Sequence, residues 1–361
     1  MKTLGVVSTI GISNGLDIAN AVNTKAPSWF MPDESEPHLR TWMAFGATNE
    51  IWGRKLLPEV QRNLAAIALS ISDYEPVSML VRPTELATAK NLMGANVEMV
   101  ACPLDDLWIR DTGPVFVVTR EGEKRCIDFN FNGWGGKQTH HNDAAVAGFV
   151  AATSGYEASK SRLILEGGGI EVDGQGTAII TESCVLNDNR NPGFSKAECE
   201  EELKKLLGLS KIIWLPGVKG KDITDGHTDF YARFAKPGFV VAAYDSDRRS
   251  FDHAVTERHL EILGEAIDAN DRKLEITVLE TPSRIRDTYD SGDFAAGYVN
   301  FYVCNGAVLV PEFGDEQADS NARDQLAQLF PDREIVQLNI DGIAAGGGGI
   351  HCATQQEPIS Y

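Results

Sequence analysis

Three features of the 361-residue sequence predict an α/β fold. Apolar runs of strand length alternate with amphipathic stretches of helix length from residue 54 to residue 338, and glycine and proline punctuate the junctions. No long Pro-, Ser- or charge-rich linker divides the chain, so a single domain is the simpler organisation.

The elements follow in order. An amphipathic stretch over 54–72 predicts the first helix, VSMLV (77–81) a strand, and 84–94 a second helix. The run PVFVV (114–118) predicts a strand, 142–152 a helix, and 161–165, with its apolar Leu163 to Leu165, a strand ending at Glu166. Strands at 177–180 and 211–215 flank a helix over 195–208, where Ser195 can cap the first turn. Strands at 238–243 and 275–279 flank a helix over 252–270 opened by Asp252. The β-branched and aromatic runs 299–303 and 306–310 predict two strands, 316–330 a helix and 334–338 a final strand.

Composition is that of a globular enzyme. Hydrophobic residues make up 43% and charged residues 24%, enough for one large core or two moderate ones. Six cysteines are scattered without C-x-x-C spacing, which points to neither a zinc cluster nor a disulfide framework. A net charge of −19 disfavours nucleic acid and anionic membrane and favours a cationic substrate. Whether the chain is a monomer or a homo-oligomer is left open.

Residues 1–28 stand apart as a leader. Lys2, the moderately apolar Leu4 to Ile12 and the small-residue site Ala19-Asn20-Ala21 resemble a secretory signal ending near Ala21, diluted by Gly5, Ser8, Thr9 and Gly11. Read as a signal, the leader sends the protein out of the cell; read as a disordered segment, it leaves the protein in the cytoplasm. No other stretch approaches the ~18 apolar residues of a membrane span.

Chemistry concentrates in four glycine-rich motifs: DDLWIRDTGP (105–114), LEGGGIEVDGQGT (165–177), DITDGHTDF (222–230) and GGGGIHCATQQEP (346–358). Cys352 follows four glycines, and glycine lets backbone approach a small electrophile closely, so this segment suits a thiolate nucleophile. His227 and Asp229 are two apart and leave one face of an extended backbone together. Glu166 precedes three glycines at the end of an apolar run.

These motifs, with TESCVLNDNRNPG (181–193) and GYVNFYVCNGAVLVPEFGD (297–315), resemble the guanidino-group-modifying superfamily, most closely the agmatine deiminases and bacterial-type peptidyl-arginine deiminases. The likeness runs from about Trp29 to Pro358. It implies a pentein: five ββαβ-type modules around a pseudo-fivefold axis, although no repeat is visible between them by eye. It also implies Cys352 as nucleophile, His227 as general acid and base, Glu166 as a carboxylate that contacts substrate and orients the histidine, Asp111 and Asp229 as the guanidinium grip, and Trp108 as a pocket wall. The implied reaction is hydrolysis of agmatine to N-carbamoylputrescine and ammonia without metal or cofactor, with peptidyl-arginine or another alkylguanidine as the alternative.

The chemistry makes the same demand. A guanidinium is planar and cationic, so carboxylates must match its fork of N–H donors. A sulfur attacks its carbon, a neighbour protonates the departing ammonia, and the same neighbour, now neutral, deprotonates the water that hydrolyses the amidino-thioether. Thiolate supply is the difficult step beside so many carboxylates; the substrate's charge and a protonated His227 are both open as its source.

Other readings compete. His227, Asp229, Glu166 and Cys352 as zinc ligands would make a metallohydrolase, but HExxH and paired-histidine spacings are missing. A non-catalytic guanidinium-binding propeller would not need cysteine, histidine and glutamate together. Arg110 is expected to turn away into an ion pair, His140 and His141 to be solvated, and His351 to diverge from Cys352; Trp134 is open between core and pocket lip. Two departures from the agmatine deiminase pattern are noted: AFGATNEIWG (44–53), where a Trp-Pro pair is usual, and Asp341-Gly342, where an Arg-Glu pair is usual.

Overall fold

The computed structural model describes Met1, residues 28–287 and residues 292–360. The leader therefore lies outside the described residues, apart from Met1 and Ser28. Among the described residues sixteen strands form five small sheets.

The first sheet holds β1 (His38–Phe45), β2 (Val77–Val81) and β3 (Glu98–Ala101), connected by helices α1 (Asn49–Ser72) and α2 (Leu86–Met93). The second has β4 (Val115–Val118), β5 (Lys124–Asp128), α3 (Val146–Thr153) and β6 (Ala158–Lys160). The third has β7 (Glu171–Val172), β8 (Thr177–Thr181), α4 (Lys196–Leu207) and β9 (Lys211–Leu215). In the fourth, β10 (Ala232–Lys236) and β11 (Phe239–Tyr244) precede α5 (Asp252–Glu265) and β12 (Glu275–Glu280). In the fifth, β13 (Tyr302–Cys304) and β14 (Ala307–Glu312) precede α6 (Glu316–Leu329) and β15 (Glu334–Asn339).

The last four sheets repeat one unit: an antiparallel pair, a helix, and a third strand parallel to the second. A tight hairpin suffices for the antiparallel pair, as at Gly238 (φ +84°) and Gly306 (φ +87°), whereas the parallel return needs the helical crossover. The first sheet obtains its antiparallel strand from the far end of the chain, because β16 (Gln355–Pro358) pairs with β1 through Trp42↔Gln355 and Thr41↔Gln356. That pairing closes the ring.

Each helix packs its apolar stripe on its own sheet. Cys199, Leu203 and Leu207 of α4 are buried with Ala178 and Ile180 of β8, and each fully buried leucine contributes about 1.5–3 kcal/mol. Ser195 caps α4 in a reciprocal bond with Glu198, as its position predicts. Asp252 is the first residue of α5 rather than its cap, and instead accepts a hydrogen bond from the Tyr231 hydroxyl.

Three expectations need correction. Residues 161–165 are not a strand: Asn130 and Asn191 side chains bond the carbonyls of Ser161, Leu163 and Ile164, replacing a ladder partner, and β6 lies just before them. The helix from 252 stops at Glu265, where Ala266 turns extended. The strand expected at 299–303 starts only at Tyr302, because Val299 to Phe301 form the buried approach to the axis. Strands β1, β3, β5, β6, β7, β10 and β16 were not anticipated. No helix among the described residues is long and apolar enough to cross a membrane.

Candidate active site

The loop entering the first strand of every unit carries one or two residues of a single buried cluster. Asp111 lies before β4, Glu166 before β7, His227 and Asp229 before β10, Asn300 before β13 and Cys352 before β16. One helical turn precedes four of these strands: Ile109–Thr112, Gly167–Gly169, Thr228–Phe230 and His351–Ala353. The pseudo-symmetry that no alignment by eye reveals thus reappears as a repeated position aimed at the axis.

All six residues expected from the sequence come together. His227 Nε2 lies 3.1 Å from Glu166 Oε2 and Nδ1 lies 3.7 Å from Asp111 Oδ1. Cys352 Sγ lies 3.5 Å from Asp229 Oδ2. His227 caps a tight turn and Asp229 lies within it, rather than both sitting on a strand, yet both still reach the axis. Trp108 is buried against Trp52, with ring centroids 5.7 Å apart, and its ring covers Gly348.

The glycines are required by close approach more than by flexibility. A Cβ at Gly346 would strike Trp52, one at Gly348 would strike Trp108, and one at Gly349 would strike Asn300; of these four glycines only Gly347 has a positive φ, +87°. A Cβ at Gly168 would lie 2.7 Å from His227 Nδ1, 2.8 Å from Asp111 Oδ1 and 3.1 Å from Asp229 Oδ2. Gly168 therefore preserves the space that these three polar groups face.

Burial raises the Asp111 carboxyl, with Glu166 and Asp229 adding to the rise against the pull of His227. Burial opposes ionisation of Glu166, but the His227 hydrogen bond and Arg190 hold it below the usual range. Burial likewise opposes Asp229, which His351 and His227 hold low. The His227 imidazolium is favoured despite burial, chiefly by Asp111, Cys184 and Glu166. Burial pushes the Cys352 thiol well up, and Asp229 and Asp111 push it further. Two buried atoms of this cluster, Asp229 Oδ1 and His227 Nδ1, have no hydrogen-bond partner among the described residues.

Several participants escaped the sequence reading. Arg190 Nε donates to both oxygens of Glu166 at 2.9 and 3.0 Å, and its Nη1 donates to Asp225 at 2.8 Å, tying Glu166 to the loop that carries His227. Cys184 Sγ lies 3.6 Å from Glu166 Oε2. Asn300 touches Cys352 through backbone and side chain. His351, expected to diverge, does turn away from the sulfur but bridges Asp229 (2.8 Å) and Glu34 (2.9 Å) beneath it. The signal available for Asn300 was positional, since it occupies the place before its first strand that acids or cysteine occupy elsewhere.

The remaining expectations divide. Arg110 does enter an ion pair, with Glu34 at 3.0 Å. Trp134 is both buried and part of the site, for its indole N–H donates to Asp111 Oδ2 at 2.9 Å. His141 is exposed, but His140 is half-buried with its ring edge-on to Phe131. Of the two departures, Gly46 packs under the Asp106 carbonyl near Trp108, while Asp341 pairs with Arg286 and Gly342 packs on α1. The four residues considered as zinc ligands do not form one ligand set; those whose donor atoms gather within 4.8 Å are Glu166, Cys184 and His227. The Arg190 guanidinium already occupies Glu166 and opposes a second cation there.

Comparison with known proteins agrees with the geometry. The model of the Porphyromonas-type peptidyl-arginine deiminases matches residues 30–358. An agmatine deiminase of Pseudomonas aeruginosa (strain LESB58) is 35% identical over 365 residues, covering 94% of this chain and 99% of its own. The structure of the agmatine deiminase of Enterococcus faecalis superposes with a TM-score of 0.87 at 32% identity, covering 92% of this chain and 96% of that one. A substrate-bound Cys-to-Ser variant of the C. jejuni enzyme superposes with a TM-score of 0.82 at 25% identity, covering 92% and 97%. Fold and relatives together define a pentein propeller that hydrolyses guanidino C–N bonds through a cysteine. The chain belongs to the Porphyromonas-type peptidyl-arginine deiminase family.

Proposed function

We propose that the substrate is agmatine, hydrolysed to N-carbamoylputrescine and ammonia, with Cys352, His227 and Glu166 as the catalytic residues and Asp111, Asp229 and Trp108 as the guanidinium pocket. The observation that carries this reading is the buried, unpartnered Asp229 Oδ1, on the carboxylate whose other oxygen lies 3.5 Å from Cys352 Sγ and, with Asp111 Oδ1, lines the space over Gly168. A buried acceptor left unpaired is costly unless a donor arrives, and a guanidinium brings five.

In this mechanism Asp111 and Asp229 take the guanidinium N–H groups and Trp108 walls the pocket. The arriving cation offsets the two carboxylates that hold Cys352 as a thiol, so the thiol releases its proton to bulk water as the substrate binds and the substrate's own charge stabilises the thiolate. Sγ bonds to the guanidinium carbon; His227, kept protonated and oriented by Glu166, gives its proton to the departing nitrogen, and ammonia leaves. Neutral His227 then takes a proton from water as the hydroxide adds to the amidino-thioether carbon. Collapse breaks the C–S bond and releases the ureido product with Cys352 restored.

Two features favour a slim amine-ended substrate. The buried arginines around the axis are engaged, Arg190 by Glu166 and Asp225, Arg110 by Glu34, Arg233 by Glu34 and Glu171, so none is spare for an α-carboxylate. Cys352 and Asp111 are each only 6% exposed, and Cys352 shares one buried cluster with Trp52, Trp108 and Trp134, a narrow approach for a polypeptide. Ammonia release from agmatine, free arginine and an arginyl peptide tests the reading. Agmatine should be turned over best; preferential turnover of the peptide would reassign the substrate while keeping the chemistry.

A further inference from the structure

Asn300 is the one member of the axial ring that is neither ionisable nor a nucleophile, yet it alone holds Cys352 from two directions. The Cys352 backbone N–H donates to Asn300 Oδ1 at 3.3 Å, and Asn300 Nδ2 donates to Cys352 Sγ at 3.3 Å. The His351 N–H donates to the Asn300 carbonyl at 3.2 Å, so the turn that presents the sulfur is pinned to residue 300. The amide has one consistent orientation: the backbone N–H of Cys352 demands the oxygen on its side, which leaves the NH₂ facing the sulfur. Nδ2 also lies 3.4 Å from the Asp229 carbonyl oxygen, which it can only approach as a donor. Gly349 admits this contact, because a Cβ there would strike the Asn300 side chain.

We propose that Asn300 is a catalytic residue of this site, donating through Nδ2 to the Cys352 sulfur as it becomes anionic and fixing the direction from which it attacks. This rests on Cys352 being the nucleophile. A thiol needs no such donor, whereas a thiolate surrounded by Asp229 and Asp111 gains from a preorganised one. The equivalent place in three other units carries a carboxylate. An aspartate at 300 would put another anion against the sulfur, so the neutral amide is the isostere that permits thiolate formation.

Asn300 and Asp229 touch the Cys352 sulfur, and Asp229 and Asp111 are the charges that weigh most on it, which makes its titration readable in N300D and N300S. The test follows alkylation of Cys352 by neutral iodoacetamide against pH in substrate-free protein, located by mass spectrometry, alongside steady-state kinetics on agmatine. Both variants should move the alkylation midpoint upward, by about one pH unit for Ser and more for Asp, and kcat should fall by about a hundredfold with KM changing far less. N300D preserves shape, so a well-folded N300D with an unmoved midpoint overturns the proposal. A loss of kcat without any midpoint shift in N300S overturns it too, by reducing Asn300 to a packing role. If wild-type protein releases no ammonia from agmatine, the substrate reading fails, while the alkylation midpoints still judge Asn300.

Discussion

Two layers of polar side chains meet on the propeller axis, and they are balanced differently. In the lower layer Glu34 accepts from Arg110, Arg233 and the Val303 N–H, and lies 2.9 Å from His351 Nε2, while Glu171 accepts from Arg233 and from the Phe234 N–H. Two glutamates face two arginines, and the layer is complete without any ligand. In the upper layer Asp111, Asp229 and Glu166 face Arg190 and a protonated His227, leaving one anion over and two polar atoms unpartnered. The lower layer is a structural ion network; the upper layer is the same chemistry with one cation withheld, the place that the proposed function gives to the guanidinium. His351 joins the layers by spanning Glu34 and Asp229.

The largest expected effect belongs to the upper layer alone. Cys352→Ala should lower kcat by about 10⁴-fold or more, because positioning does not replace a covalent nucleophile, while circular dichroism and unfolding remain those of wild type. Substantial turnover by pure Cys352→Ala protein would remove the cysteine mechanism.

Asp111→Asn and Asp229→Asn come next. Each keeps shape but leaves a cationic substrate under-compensated, at a cost of roughly 3–5 kcal/mol for a broken buried pair, or about two to four powers of ten in kcat/KM. Calorimetry with an unreactive alkylguanidinium and a neutral analogue of equal size sharpens the comparison. Only the charged ligand should lose affinity; equal losses would mean that the upper layer holds structure, as the lower one does.

The lower layer should respond in stability instead. Glu34→Gln leaves Arg110 and Arg233 facing a neutral amide, and removing one partner of a buried pair costs about 3 kcal/mol or more. Chemical denaturation should show that loss. Activity per folded molecule should fall only about tenfold, through the slackened His351–Asp229 contact. A larger loss of activity than of stability would place Glu34 in the upper layer.

Much of the upper layer was legible because its residues sit in loops punctuated by glycine, where side-chain identity carries chemistry rather than packing. Cys352, His227, Glu166, Asp111, Asp229 and Trp108 were singled out this way, and the fold gathers them around the axis. Apart from the ion pair expected of Arg110, the lower layer was not legible, for a physical reason: strands against the axis bury polar residues, so they lack the apolar run that reveals a strand. Gln355, Gln356 and Glu357 of β16 and Arg233 of β10 are buried, and both strands were missed with the ring closure that β16 provides. Conversely, 161–165 looked like a strand because it is apolar, yet its backbone is satisfied by asparagine side chains. Outer strands such as β9, β12 and β15, with a conventional pattern, were read correctly.

The pH profile separates the layers again. Glu166 is held below its ordinary value of 4.5, so its ionised form persists until pH falls through that lowered value. His227 is held well above 6.5, so its proton is lost only as pH rises through the raised value. kcat should therefore form a broad bell, with an acid limb below about pH 4.5 and a basic limb well above 6.5. An acid limb near neutrality would mean either that Arg190 does not keep Glu166 ionised or that the bound cation does not bring the raised Asp111 carboxyl back down.

The smallest effect tests where the upper layer ends. Cys184 and Cys199 are both completely buried in the same apolar cluster, so truncating either to alanine should cost similar stability, about 1 kcal/mol each. Only Cys184 touches the catalytic cluster, with its sulfur 3.6 Å from Glu166 Oε2. Composition alone makes all five cysteines besides Cys352 equivalent; the geometry singles out this one. Cys184→Ala should lower kcat by about three- to tenfold by loosening Glu166 against His227, and Cys184→Ser, which keeps a donor, should recover most of it. Cys199→Ala, like alanine at Cys102, Cys126 and Cys304, should leave kcat unchanged. Equal kcat in Cys184→Ala and Cys199→Ala at matched stability would move the boundary of the site inward, to Arg190 and His227 as the groups that hold Glu166.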